Sequence, residues 1–248
     1  MTDETIPRRK FLVGASIAST AVAAGMTQSA PAEGRAAEAP AQPAAAPAAP
    51  TPEAEPLLLL NDTEHAFIVA AVDTMIPADE LSPSGSDCGV ATYIDRQLAS
   101  AWGGGAKMYR AGPYFKGKPE QGYQLPLTPA EFITAGIAAA NAWSRKTFGK
   151  DFDRLDADRR IEALKAMQEG KAEFGGLSSR GFFARLHALT MEGFFGDPIY
   201  GGNRNKASWR MLGYPGLPAT YARLIDEYRD KRYVAEPHSA PRRAPPAG

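Results

Sequence analysis

Cys88 is the only cysteine in 248 residues. A single thiol excludes an internal disulfide, a CxxC metal clip and the CxxCH attachment of a c-type haem. Only three histidines are present, His65, His187 and His238, far apart in sequence from one another and from Cys88. The cofactor and nucleophile fingerprints are missing too: no G-x-G-x-x-G, no G-x-x-x-x-G-K-[ST] and no G-x-S-x-G occurs. Charge of one sign is also lacking, with 28 Lys+Arg against 28 Asp+Glu. Residues 1–36 hold four basic and three acidic side chains, so the remainder carries 24 against 25, a net of −1. Phosphate binding needs a positive field, so a near-neutral body excludes nucleic acid as the main partner. No polybasic run points to a lipid surface.

Apolar runs are short. The longest, Phe11 to Gly25, is rich in Ala, Gly and Ser and falls below the ~20 residues a membrane-spanning helix needs. It follows Pro7-Arg8-Arg9-Lys10-Phe11-Leu12 and precedes Ala30-Pro31-Ala32, a small-residue pattern suited to a signal peptidase. This arrangement resembles a twin-arginine export signal over residues 1–32, with Arg8, Arg9, Phe11 and Leu12 carrying the resemblance. The competing reading is an N-terminal membrane anchor. The twin-arginine route exports proteins already folded, which suits a chain that leaves the cytoplasm with a folded partner.

Residues 33–56 are mostly Ala, Pro and Glu, a composition that reads as a disordered linker. Residues 234–248 are Pro-rich and polar and read as a loose tail. The body between them, 57–233, has helical periodicity and no convincing period-two stretch, which predicts an all-α, compact, irregular helical bundle.

Asn61, with Glu64 three residues later, forms a capping-box pattern, and Phe67, Ile68, Ala71, Val72 and Met75 follow at helical spacing up to Pro77. Val90 to Trp102 reads as a second helix with Tyr93, Ile94, Leu98 and Trp102 on one side, stopped by Gly103-Gly104-Gly105. Thr128-Pro129-Ala130-Glu131 predicts a helix running to Phe148. Asp156 caps another, with Ile161, Leu164 and Met167 inward. Ser178 or Ser179 opens the next, through Phe182, Phe183, Leu186, Leu189, Met191, Phe194 and Phe195. A last helix is expected from Pro218 to Lys231.

Candidate chemistry outside the helices is thin. His65 near Asp62 and Glu64 reads as a solvated first helical turn, and His187 as a core or interface histidine. Asp79-Glu80 reads as a solvated acidic loop and Cys88 as a small buried hydrophobe, with a disulfide to another chain as the alternative. The densest segment is Gly193 to Gly216. Asp197 before Pro198 favours an Asx turn. Gly201, Gly202 and Asn203 tolerate positive φ. Asn203 or Asn205 can cap a short helix that Gly213 ends. Phe194, Phe195, Ile199, Tyr200, Trp209 and Tyr214 lie among these turns. Such a segment is either a packed plug or a binding surface rich in hot-spot residue types, and composition leaves both open.

Asp197-Pro198-Ile199-Tyr200-Gly201-Gly202-Asn203-Arg204, then Trp209 and Gly213-Tyr214-Pro215-Gly216, resembles the signature of the gluconate 2-dehydrogenase subunit 3 family. Asp73 with Pro77-Ala78-Asp79, Gly89-Val90, Ile94-Asp95 and Gln97-Leu98 is similar to that family's N-terminal pattern. Tyr109-Arg110-Ala111-Gly112-Pro113 and Gln124-Leu125-Pro126-Leu127 are similar to its middle part. The resemblance spans Leu60 to Gly216. It implies an accessory subunit with no catalytic, cofactor-binding or metal-binding residues of its own. Its partner would be a large FAD-dependent, GMC-type dehydrogenase acting on gluconate, polyols or sugars. A cytochrome c subunit carrying haem c would take the electrons and hold the complex at the inner membrane on the periplasmic side. The small subunit would supply the signal read by the twin-arginine (Tat) translocase. Asp197, Pro198, Tyr200, Gly201, Gly202, Asn203, Arg204, Trp209 and Tyr214 are then the expected partner interface. The alternatives are a periplasmic scaffold with no dehydrogenase partner and an independent periplasmic enzyme using Asp79, Glu80 and Asp197.

Overall fold

The computed structural model describes residues 55–115, 117–118, 124–217 and 220–241. The twin-arginine segment with Arg8, Arg9, Phe11 and Leu12, most of the Ala/Pro-rich linker and residues 242–248 lie outside the described residues. All that is described falls within one unit, Pro52–Gly248. Six α-helices are present among the described residues: α1 Asp62–Met75, α2 Val90–Ala99, α3 Pro129–Phe148, α4 Ala157–Glu169, α5 Ser179–Phe195 and α6 Ala207–Leu212. No strand is formed among the described residues, as the helical periodicity requires.

Helix starts follow the local chemistry closely. Asn61 and Glu64 form a reciprocal capping box at α1, and Thr128 and Glu131 another at α3, with Pro129 in the first turn. Asp156 caps α4 through the Arg159 N–H, and Ser178 caps α5 through the Gly181 N–H.

Packing centres on α5, which touches α2, α3 and α4, while α1 closes the other side against α2, α3 and α4. Phe67, Phe152 and Phe182 are fully buried, with Phe67–Phe152 and Phe67–Phe182 ring centroids 4.7 and 6.0 Å apart. The Phe182 ring lies directly on α3 at Gly136, where an added Cβ would fall 2.1 Å from it. Asp95 on α2 is also buried, at 2% exposure. Its carboxylate accepts the backbone N–H of Leu58 at 2.7 Å, Leu59 at 3.0 Å and Leu60 at 2.9 Å, binding the segment before α1 to the bundle.

Four local expectations are corrected. Helix α2 stops at Ala99, and Trp102 stands in the following turns, 39% exposed. Ile161 points outward at 42% exposure, and Ala163 takes the inner position beside Leu164 and Met167. His187 is exposed and stacks on Phe183 at 5.9 Å, which corrects the core reading and leaves the interface reading. The helix expected from Pro218 to Lys231 reduces to a 3₁₀ turn, Ala222–Leu224, and further turns, with Asp230 at φ 61°. Nearly half of that stretch is charged, Ile225 is left 60% exposed, and without a buried face a helix of this length is marginal.

Candidate functional site

The segment from Gly193 to Gly216 begins on the last turn of α5. Gly193 lets α2 approach: an added Cβ would lie 2.8 Å from the Tyr93 ring. The Tyr93 hydroxyl donates to Glu192 at 3.3 Å, and burial together with the Glu192 charge pushes it up to about 12. Asp197 caps the 3₁₀ turn Pro198–Tyr200 by accepting the Ile199 N–H at 3.0 Å. Gly202 then presses on α5, where a Cβ would sit 2.1 Å from the Gly193 carbonyl oxygen, so only glycine fits.

Asn203 is the internal pin. It is fully buried, holds φ 45°, and uses both ends of its amide. Nδ2 donates to the Gly196 carbonyl at 2.9 Å, while Oδ1 accepts the Ser208 N–H at 3.1 Å and the Ser208 hydroxyl at 2.9 Å. Asn203 thereby joins the end of α5 to the start of α6. Arg204 turns the other way. Its N–H donates to the Cys88 carbonyl at 2.9 Å and its guanidinium reaches Thr92 Oγ1 at 3.2 Å, fastening the segment to the start of α2. Trp209 is 6% exposed, and its indole N–H donates to the Phe195 carbonyl at 2.7 Å.

The C-terminal segment closes over this structure. Within the described part of the expected tail, residues 236–240 are hydrogen-bonded to the body. Leu217 N–H donates to the His238 carbonyl and His238 N–H to the Pro215 carbonyl, both at 2.9 Å. Asp197 accepts the Ser239 hydroxyl at 2.5 Å and the Ala240 N–H at 3.0 Å. Burial alone would raise the Asp197 carboxyl. The N–H groups of Ala240 and Ile199 and the Ser239 hydroxyl outweigh it and hold the carboxyl below its ordinary value. Glu236 meets Arg210 at 2.5 Å, a contact that lowers its carboxyl.

Asp197, Asn203, Arg204, Ser208 and the Trp209 indole N–H therefore face inward or onto the C-terminal residues, while Asn205 and Arg210 are exposed. The large outward side chains are otherwise apolar. Phe195, Leu212, Tyr214 and Leu217 surround a groove of about 500 Å³ floored by Trp209, and Tyr200 stands exposed. A second groove of about 720 Å³ lies among Trp102, Tyr109, Tyr114, Phe115 and Phe132, with the Arg185 guanidinium 5.9 Å from the Trp102 ring. Sequence reasoning named Tyr200 and Tyr214 but missed Leu212, Leu217, Tyr109 and Phe115, whose periodicity gives no sign of which side lacks a neighbour.

The remaining candidates have structural roles. Asp79 Oδ1 accepts the N–H groups of Leu81 and Ser82, and Asp73 accepts the N–H and hydroxyl of Ser86. Glu80 is exposed. Cys88 is 1% exposed, with its thiol against the Pro83 carbonyl, and burial, with Asp87 nearby, pushes it up to about 11. Gly103 lies against Leu98, where a Cβ would meet the carbonyl oxygen at 1.8 Å, and its own carbonyl accepts the Ala130 N–H. That turn has no strand before it and does not fit a phosphate-cradling loop. Among the described residues no group of three or more His, Cys, Asp or Glu is gathered around a common point, and no helix is long and apolar enough to cross a membrane.

The family model for gluconate 2-dehydrogenase subunit 3 matches residues 62–216. The chain belongs to that family. Comparison with curated proteins and with solved structures found no match. The matched region opens on the first residue of α1 and closes on Gly216, the residue paired with His238. A gluconate 2-dehydrogenase subunit 3 is one subunit of a complex, so membership implies partner subunits. Four carboxylates of the resemblance, Asp73, Asp79, Asp95 and Asp197, each accept at least one backbone N–H. In this member of the family they hold loops and chain segments in place.

Proposed function

We propose that this chain is the non-catalytic small subunit of a flavin-dependent gluconate, polyol or sugar dehydrogenase. It supplies the twin-arginine signal that takes the complex to the periplasm and helps the FAD-bearing large subunit mature. Hydride transfer from substrate to flavin belongs to that GMC-type partner, and a cytochrome c subunit accepts the electrons and tethers the assembly to the inner membrane. One observation carries the reading. The motif directs its hydrogen-bonding groups into this chain's own fold and leaves Phe195, Tyr200, Leu212, Tyr214 and Leu217 outward. The apolar groove of Phe195, Leu212, Tyr214 and Leu217, with Asp197 in its lining, suits the face of a partner protein.

Two tests follow from it. Replacing Leu212 and Tyr214 together with serine should leave the melting temperature almost unchanged, since both are about half or more exposed (61% and 47%). Co-purification of the flavoprotein should fall about tenfold or more, the loss expected for apolar anchors at an interface. Full recovery of a yellow complex on size-exclusion chromatography would place the partner elsewhere. Replacing Arg8 and Arg9 with lysine should strand both subunits in the cytoplasm on cell fractionation. Normal export of the large subunit would end the carrier role.

A further inference from the structure

Residues 236–240 lie outside the family match, yet they grip groups within it. The grip has the chemistry of a bound peptide. Two of its bonds pair main chain with main chain, through the N–H and carbonyl of His238 on Pro215 and Leu217. Two more use the strap's main chain, with Lys206 Nζ donating to the Pro237 carbonyl at 2.6 Å and the Ala240 N–H donating to Asp197 at 3.0 Å. Side chains add the Glu236 carboxylate on Arg210 Nε and Nη2, at 3.1 and 2.5 Å, and the Ser239 hydroxyl on Asp197. Gly216, at φ 70°, makes room for the strap. A Cβ there would fall 2.1 Å from the His238 carbonyl oxygen. Main-chain pairing on either side of Gly216 supplies affinity, and the few side-chain contacts supply selectivity, the division of roles found when a peptide pairs with exposed backbone.

The strap is weakly fastened on its own side. Arg210 and Glu236 are about half exposed (49% and 60%), which limits what their pairing contributes. In the described residues from 217 to 235, the segment leading to the strap has one three-residue 3₁₀ turn and no helix. Tyr221 donates its hydroxyl to the Gly216 carbonyl at 2.8 Å and Tyr233 packs edge-on against Tyr221 and Tyr228, so the tether is anchored beside the seat and only the strap beyond Tyr233 is free to lift.

We propose that the edge at Pro215–Leu217, with Asp197, Lys206 and Arg210, is a docking seat for an extended acidic segment of another polypeptide. The chain's own residues 236–240 occupy it in cis until that segment displaces them. The incoming segment carries a carboxylate to meet Arg210 and, three or four residues later, an N–H or hydroxyl for Asp197. Lys206 and Arg210 give the seat a positive end complementary to such a ligand. The inference does not depend on which enzyme the family partner is.

The probe is a fluorescein-labelled peptide of residues 234–241, titrated by anisotropy into three proteins: the intact chain, a chain ending at Val234, and full-length Glu236→Arg, in which the strap is repelled by Arg210. The opened proteins should bind the peptide at least about tenfold more tightly than the intact chain, because the closed strap reduces the competent fraction. A peptide with Glu236→Lys should bind about tenfold more weakly to both. If the shortened chain fails to fold, Glu236→Arg decides, once faster exchange of its His238 and Ala240 amides than in the intact chain shows its strap open. Folded Glu236→Arg that shows no saturable binding, or binds no better than the intact chain, overturns the proposal. So does hydrogen exchange of the His238 and Ala240 amides in the intact chain as slow as that of the α5 core.

Discussion

Asn203→Ala is expected to lower the melting temperature by about 10 °C, the larger of the two stability effects. Alanine removes the acceptor for both Ser208 donors and the donor for the Gly196 carbonyl, all within a buried site. Stranding such groups costs about 1–3 kcal/mol each where no water replaces the partner. The left-handed φ of 45° adds about 1 kcal/mol for a residue with a Cβ and no side-chain hydrogen bond. A total of about 4 kcal/mol is a conservative sum, and 1 kcal/mol shifts a domain of this size by about 2–4 °C. Asn203→Gly separates the two contributions, since glycine loses the same hydrogen bonds without the backbone strain. It should melt a few degrees above the alanine variant. An alanine variant melting within about 2 °C of the parent protein would show that the motif is not pinned through this amide.

Asp95→Ala should cost about 3–4 kcal/mol, because three backbone N–H groups lose a charged acceptor at a site 2% exposed. The loss is local before it is global. The amides of Leu58, Leu59 and Leu60 should exchange with solvent far faster in the variant, while those in the middle of α5 change only as global stability changes. Asp95→Asn should fall between. One amide oxygen can still accept from Leu59 and Leu60, but the NH₂ end would oppose the Leu58 N–H. Unchanged protection at Leu58–Leu60 in the alanine variant would remove Asp95 as the clamp. Both substitutions leave the outward apolar groove intact, so any loss of partner binding should follow the loss of fold.

The two positions were not equally legible in the sequence. Asn203 stood out among glycines and turn formers, and its tolerance of positive φ was a sound expectation. Whether its amide would face a partner or the chain's own interior was undecided, because both arrangements use the same residue types. Trp209 posed the same ambiguity, and burial against the Phe195 carbonyl resolves it in favour of the interior. Asp95 gave no physical sign of its role, since an acid at one helix position reads as solvated until the segment that crosses it is known. From composition the C-terminal strap reads as loose. Its hold depends on Asp197, Lys206 and Arg210, which lie 26 to 43 residues earlier.

By itself the sequence determined what local chemistry can determine. The capping boxes at Asn61 and Thr128, the caps at Asp156 and Ser178 and the apolar spacing of α1, α3 and α5 set where those helices start and which stripe they bury. Those choices involve residues within a few positions of one another. Tertiary structure alone decided which side of the motif faces inward, which aromatic side chains remain outside, that the charged stretch after Pro218 stays in turns, and that the chain's end folds back on Asp197. Each of these depends on a neighbour distant in sequence, and side-chain periodicity carries no information about that neighbour's position.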